Sequence, residues 1–281
     1  MADAERQKRL GAVRRIVVHG GLAHTDDIMA CAIAFAYGVP HDAEIARRNP
    51  TPEELADPAT LVLDVGGVCD PERLDFDHHQ RARDAAPKCA YKLLAEWLGA
   101  DAELARLFPW YEAWNLVDVL GTHGTARRLG TTGETLEGFV GHPLADLAIR
   151  QFASDPVFRA QTVIKLSNGI DKTRRCWALI NAHAVMVEIA GLPVADLRGC
   201  TTDEVSRCSD AWMRSRRPAC SVSRDNRGAG LTVLRYNDDP RLDFARCAGR
   251  PYALFAHPGG FVLKTRGMTD DLEQILMDAR T

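Results

Sequence analysis

Two imidazoles and two carboxylates crowd the segment His19-Gly20-Gly21-Leu22-Ala23-His24-Thr25-Asp26-Asp27, directly after the apolar run Ile16-Val17-Val18. A second run, Leu61-Val62-Leu63, leads into Asp64-Val65-Gly66-Gly67, and a third cluster follows as Asp75-Phe76-Asp77-His78-His79-Gln80. Nitrogen and oxygen donors without thiolate suit Mn²⁺, Zn²⁺, Fe²⁺ or Co²⁺ better than Ca²⁺ or a structural zinc. Charges packed at strand ends cost several kcal/mol each when buried unpaired, so a purely structural role does not account for their density. A carboxylate shared by two ions about 3.5–4 Å apart lets both clamp one phosphoryl oxygen and activate water. The expectation is a metallohydrolase with two divalent metal ions. Isolated histidines such as His41, His142 and His183 are read as ordinary core or surface residues.

These clusters need a scaffold that brings them together. Residues 15–18 and 61–65 have the short, continuously apolar pattern of buried parallel strands, and 27–37 reads as the helix after the first. Residues 44–48 give a further strand, and Thr51-Pro52-Glu53-Glu54 marks a helix start with proline in its first turn. Alternating strands and helices imply an α/β fold with a parallel sheet, whose ligands collect beyond the carboxyl ends of the strands. Residues 88–99 and 101–118 read as helices, and 134–215 as a mainly helical tract broken at Gly141-His142-Pro143, Asp155-Pro156 and Gly191-Leu192-Pro193. Beyond Cys220, residues 230–236, 252–256 and 261–264 read as strands, the last two joined by the Gly259-Gly260 turn, with a helix over 268–279. The organisation expected is a catalytic domain over 1–140, then a helical connector and smaller C-terminal α+β domain over 141–281, with the active site in the cleft between them.

The chain has 281 residues, 46% of them hydrophobic, which is enough for a core. No stretch approaches the roughly 18 apolar residues of a membrane span, and the amino-terminal residues lack a secretory apolar core, so a cytoplasmic protein without membrane partners is expected. The eight dispersed cysteines form no Cys-x-x-Cys pair, which argues against a zinc ribbon or disulfide framework; Cys31 and Cys69 are read as small buried hydrophobes. Residues 1–150 carry 16 Lys/Arg against 23 Asp/Glu, and residues 151–281 carry 19 against 15. An acidic metal-binding part beside a basic part suits an anionic, phosphate-bearing substrate.

The order H-x4-H-x-D, Leu-Asp-Val-Gly-Gly and D-H-H resembles the DHH phosphoesterase superfamily. His24, where most members have an aspartate, together with Asp64-Val65-Gly66-Gly67 and Asp75–Gln80, is most similar to the melanocyte-proliferating-gene family of metal-dependent nucleases, over roughly residues 16–130. The resemblance implies that His19, His24 and Asp64 hold one metal ion, while Asp26, Asp64, His78 and a later aspartate hold another, with Asp64 as bridge. Asp118 in Leu116-Val117-Asp118-Val119-Leu120-Gly121-Thr122 matches that later position, although the Asp-Asn-Gly ending usual in the family is missing and His123 stands nearby. By the same resemblance His79 contacts the scissile phosphate or protonates the leaving group, and Asp77 orients a histidine. Asp27 is the exception in the first cluster, suited to capping the helix that follows.

Arg47 and Arg48 resemble an arginine-bearing stretch of the family suited to phosphate contacts. The segment His257-Pro258-Gly259-Gly260-Phe261-Val262-Leu263-Lys264-Thr265-Arg266 looks like the family's Gly-rich substrate-binding turn, without its Gly-Gly-Gly-His signature. Hence His257, Gly259, Gly260, Lys264 and Arg266 are candidate substrate contacts. Trp110, Tyr111 and Trp114 recur at near-helical spacing and read as core rather than a base-stacking platform. The expected function is a divalent-metal-dependent phosphodiesterase, with Mn²⁺ as the metal. It would be an exonuclease converting single-stranded RNA or short oligonucleotides to nucleoside monophosphates, with a homodimer allowed for. Two rivals stand beside it: a phosphoesterase acting on cyclic dinucleotides or bisphosphorylated nucleotides, and a non-catalytic nucleotide-binding regulator.

Overall fold

The structure, a computed structural model, describes residues 3–81, 85–140, 143–268 and 271–281. It divides into two compact units, Met1–Asp171 and Lys172–Thr281. The first contains helix α1 (Asp3–Gly11), strand β1 (Arg15–Val18), α2 (Thr25–Ala36), β2 (Glu44–Arg47), α3 (Pro52–Ala56), β3 (Thr60–Leu63), β4 (Cys69–Asp70) and β5 (Asp75–Phe76). Then follow α4 (Ala90–Leu98), α5 (Asp101–Leu107), α6 (Trp110–Leu129), α7 (Gly133–Val140), α8 (Pro143–Ser154) and α9 (Pro156–His183), the last crossing the unit boundary.

The sheet order is β2-β1-β3-β5-β4, parallel except for the edge strand β4. Register decides where the chemistry falls. Val18 pairs with Arg47 and Leu63, and Leu63 pairs with Phe76. The residues that follow, His19, Arg48, Asp64 and Asp77, therefore leave the sheet along one edge. Helix α2 is buried from Asp26 through Phe35. Its small residues Ala30, Cys31, Ala32 and Ala34 let it sit tightly inside the core, alongside Ile16, Leu61, Tyr91 and Leu94. Burying such side chains supplies roughly 25 cal/mol per Å² of apolar surface.

The unit boundary falls about thirty residues beyond the position expected from the sequence. Phe152, Val163 and Ile170 explain this, since all three pack into the first core. His142 and the Gly141-His142 part of the expected break lie outside the described residues.

The second unit contains β6 (Val185–Ile189), β7 (Leu192–Asp196), α10 (Thr202–Arg214), β8 (Cys220–Arg224), β9 (Leu231–Arg235), β10 (Ala253–Ala256), β11 (Val262–Thr265) and α11 (Leu272–Ala279). Its mixed sheet runs β10-β11-β9-β8-β7-β6. The hairpin β6–β7 corrects the helical reading of 134–215. Ala190 and Gly191 both adopt left-handed φ, 49° and 69°, giving a two-residue turn that Ala190 does not advertise. The expected helix from 268 begins at Leu272, and positions 269–270 lie outside the described residues. All eight cysteines are unpaired, and Cys69 is exposed rather than buried. Among the described residues no helix is long and apolar enough to cross a membrane.

Candidate metal centre

Each candidate ligand is placed by its own loop or helix. His19 follows β1, and its Nδ1 is buried without a hydrogen-bond partner among the described residues. His24 stands at the N-cap of α2, where its N–H donates to Asp27 Oδ2 at 2.8 Å. Asp27 thus caps the helix from inside, and Arg47 approaches the same oxygen at 3.7 Å. Asp26 points the other way: its two carboxylate oxygens accept from Ala90 N and Tyr91 N, both at 2.8 Å, at the start of α4. Burial, with Asp118 and Asp64 adding to it, pushes the Asp26 carboxyl well above the usual range.

Asp64 directly follows β3 in the left-handed region, φ 58°, which aspartate tolerates better than most residues. Two glycines then carry the loop through φ 117° and 81°. At Gly66 only glycine fits, since a Cβ would stand 2.6 Å from Asp75 Oδ2. Asp77 ties this loop to the third one. Its Oδ2 accepts from Gly67 N at 2.7 Å, while Oδ1 accepts from His79 N at 3.0 Å and lies 2.7 Å from His79 Nδ1. Burial pulls the Asp77 carboxyl upward, but the bonds from His79 and Gly67 prevail and hold it below the ordinary carboxylate range.

The loops converge on His78. Its Nε2 lies 3.0 Å from Asp64 Oδ1, 3.2 Å from Asp118 Oδ2 and 3.8 Å from Asp26 Oδ2. Burial pulls the His78 imidazole down, yet Asp118, Asp64 and Asp26 outweigh it and push the group up to about 10. Asp64 Oδ1, although 3.0 Å from that nitrogen, is not aligned for a hydrogen bond and remains an unpartnered buried oxygen. Potential ligand atoms gather, within 4.8 Å of one another, as His19/His24/Asp64, Asp64/His78/His79 and Asp26/His78/Asp118. Asp64 belongs to two of these groups and His78 to two. An orphaned buried nitrogen and oxygen, among imidazoles and clustered carboxylates, fit a divalent cation of the Mn²⁺ or Zn²⁺ kind.

Asp118 sits on α6, three residues before Gly121 interrupts the helix at φ 67°, ψ 169°. His123 points elsewhere, 3.5 Å from Glu137 with its side chain 76% exposed. A cavity of about 950 Å³ adjoins the cluster, lined among others by His24, His78, His79 and Asp118.

The remaining candidates have partners inside the protein. Arg47 is buried and donates to Gly21 O at 3.1 Å. Arg48 makes a two-pronged pair with Glu54, both contacts 2.6 Å. His257, Gly259, Gly260, Lys264 and Arg266 belong to the second unit, on and around the β10–β11 hairpin. There Gly260 has φ 68°, Gly259 N donates to His257 Nδ1 at 2.9 Å, and Lys264 Nζ donates to Asp225 Oδ1 at 2.6 Å. Arg81, Lys88 and Arg127, none of them expected from the sequence, also line the cavity. Arg81 could have been found from its position just after Asp-His-His-Gln; Arg127 carried no local signal. Tyr111 is core, as expected, whereas Trp114 reaches the cavity wall.

Residues 15–94 match the family model described as "Uncharacterised protein family (UPF0160)", MYG1 exonuclease. The human MYG1 exonuclease is 43% identical over 76 residues, which cover 27% of this chain and 20% of the human protein. A MYG1 protein of Chlamydia pneumoniae is 34% identical over 82 residues, covering 29% and 27%. The chain thus matches only a fifth to a quarter or so of these relatives' length. Among solved structures, the pGpG-specific phosphodiesterase PggH from Vibrio cholerae aligns with TM-score 0.32 and 12% identity, over 93% of this chain and 95% of that one. RecJ from Thermus thermophilus, in complex with Mg²⁺, aligns at 0.30 and 16%, over 98% and 50%. Scores this low establish nothing about activity. The family match spans every candidate metal ligand except Asp118, and over residues 15–94 this chain is similar to the MYG1 exonucleases.

Proposed function

We propose that the chain is a divalent-metal-dependent phosphodiesterase, an exonuclease that shortens RNA or short oligonucleotides to nucleoside monophosphates. The observation that carries the reading is the double membership of Asp64, the carboxylate common to the His19/His24 group and the His78/His79 group. His19, His24 and Asp64 would hold one ion, and Asp26, Asp64, His78 and Asp118 a second. Such ions, when bound, neutralise charge building on the phosphoryl oxygens and make water a stronger nucleophile at neutral pH.

The protein's own side chains supply the remainder. Asp77 accepts from His79 Nδ1, which leaves Nε2 of this cavity-lining ring to meet a substrate oxygen; in its doubly protonated form the ring would give that oxygen the Nε2 proton and keep Nδ1–H on Asp77. Asp26, pinned by two N–H groups of α4, cannot swing out of the cluster without losing both bonds. Asp27 and Arg47 brace the loop that presents His19 and His24. In the second unit, His257, the Gly259-Gly260 turn and Arg266 are assigned to substrate contact, with Lys264 already paired to Asp225. The cavity volume of about 950 Å³ also suits a dinucleotide, which keeps a small-molecule phosphoesterase as the second reading.

The test is product analysis with defined single-stranded RNA, DNA and cyclic dinucleotides in Mn²⁺, Mg²⁺ or Zn²⁺. Stepwise release of monophosphates from long strands is the expected result, and turnover confined to dinucleotides favours the second reading. Asp64→Asn should abolish hydrolysis, so undiminished activity in that variant removes the bridging assignment.

A further inference from the structure

We infer that Arg81 and Arg127 form an anion subsite on the cavity wall that grips a phosphate other than the scissile one. The favoured substrate would then be a short nucleotide chain bearing at least two phosphates. This inference rests on the phosphodiesterase reading above and specifies its substrate class.

Three cationic side chains, Arg81, Lys88 and Arg127, line the cavity that adjoins the metal-ligand groups. They are not equivalent. Lys88 Nζ is held by Glu96 Oε2 at 2.7 Å, so its charge is already balanced. Among the described residues, neither Arg81 nor Arg127 pairs with a carboxylate, and Arg81 Nε is buried without a hydrogen-bond partner. A buried, unsatisfied guanidinium nitrogen is costly, and a phosphate oxygen satisfies it with a charge-assisted bond. The only carboxylate among the described lining residues is Asp118, which lies against His78. The rest of the wall therefore carries net positive charge.

Placement strengthens this reading. Asp118 precedes the break at Gly121 and Arg127 follows it, yet both line the cavity. One interrupted helix thus supplies a ligand candidate and a cation to the same space. Trp114, from the same helix, gives the wall a flat apolar surface against which a base can rest. A volume of about 950 Å³ is near the top of the roughly 300–1,000 Å³ range of ligand pockets, more than one phosphodiester group fills. Guanidinium groups offer a planar fork that matches phosphate oxygens.

The experiment uses the full chain with Mn²⁺ and the variants Arg81→Gln, Arg127→Gln and both together. Two substrates are compared: a 5′-phosphorylated RNA dinucleotide and bis(p-nitrophenyl) phosphate, which carries only a scissile phosphate. The ratio of their kcat/KM values should fall about tenfold per variant, mainly through KM for the dinucleotide, the effect of losing one charge-assisted contact. A ratio within about twofold of the parent overturns the subsite, including the case where both substrates slow equally because the fold is disturbed. Calorimetric binding of adenosine 3′,5′-bisphosphate against adenosine 5′-monophosphate gives a readout independent of hydrolysis. Tighter binding of the bisphosphate, lost in the variants, supports the subsite even if no substrate is cleaved, and the phosphodiesterase reading alone then fails. Hydrolysis without any bisphosphate preference leaves that reading standing and removes the subsite.

Discussion

Asp77→Asn is the substitution that most directly probes how the site is held in shape. The parent carboxylate accepts from two backbone N–H groups, Gly67 at 2.7 Å and His79 at 3.0 Å, and engages His79 Nδ1 at 2.7 Å. The residue is only 3% exposed, so lost bonds are not replaced by water. Asparagine keeps the volume but has one accepting oxygen. If that oxygen stays with His79, the amide NH₂ faces Gly67 N–H, donor against donor. If it turns to Gly67, the imidazole loses the acceptor that selects its tautomer. Bonds to a charged acceptor are worth about 1.5–3 kcal/mol each, so losing one and setting another at odds should cost about 2–4 kcal/mol of stability. Releasing a histidine from the carboxylate that orients it typically costs 10–100-fold in activity. Chemical denaturation gives the first quantity, kcat for a phosphodiester with Mn²⁺ the second, and ¹⁵N NMR of the imidazole the tautomer. A folded variant with the parental tautomer and kcat within about twofold would refute the orienting role. The sign with pH follows from the depressed Asp77 carboxyl: its contribution is present above the ordinary carboxylate range and is lost as pH falls through the folded value.

Two further outcomes follow from the scaffold around the site. Arg48, Thr51 and Arg15 lower Glu54 from 4.5 to about 2, a contribution present above pH 4.5 and lost as pH falls toward 2. Because the Arg48 and Arg15 side chains are 44% and 41% exposed, solvent screening reduces it to about 1 kcal/mol. Glu54→Gln should therefore be less stable than the parent at pH 7, with the gap closing on acidification; a gap constant from pH 7 to 2 in denaturant titrations contradicts the pairing. Gly66→Ala combines φ 117° with a Cβ 2.6 Å from Asp75 Oδ2, whereas Gly67→Ala meets φ 81° and nothing within 4 Å. The expected costs are about 3 kcal/mol or more and about 1 kcal/mol. Equal unfolding free energies for the two variants would show that the close approach does not exist.

What could be read in the chain was local. Apolar runs at 15–18 and 61–63 dictate buried strands, because continuous Val, Ile and Leu can be sheltered only between covered faces. Polar clusters directly after such runs must emerge at strand ends, and so His19, Asp64 and Asp77 lie together along one sheet edge. Asp27 as a helix cap was legible for the same reason, since its partner is three residues away. Contacts between distant segments were not. That Asp26 caps α4 across 64 residues depends on how two helices pack. Asp118 reaches His78 because of where α6 lies, and the kink at Gly121 governs where Arg127 goes. Arg47 and Arg48, cationic in the sequence and thus candidates for phosphate, acquire Asp27, Gly21 and Glu54 as partners only once the sheet edge forms. Residue type and short spacing determined which groups can do chemistry. Long-range packing, whose free energy is shared among many contacts rather than encoded at any one position, decided which of them meet.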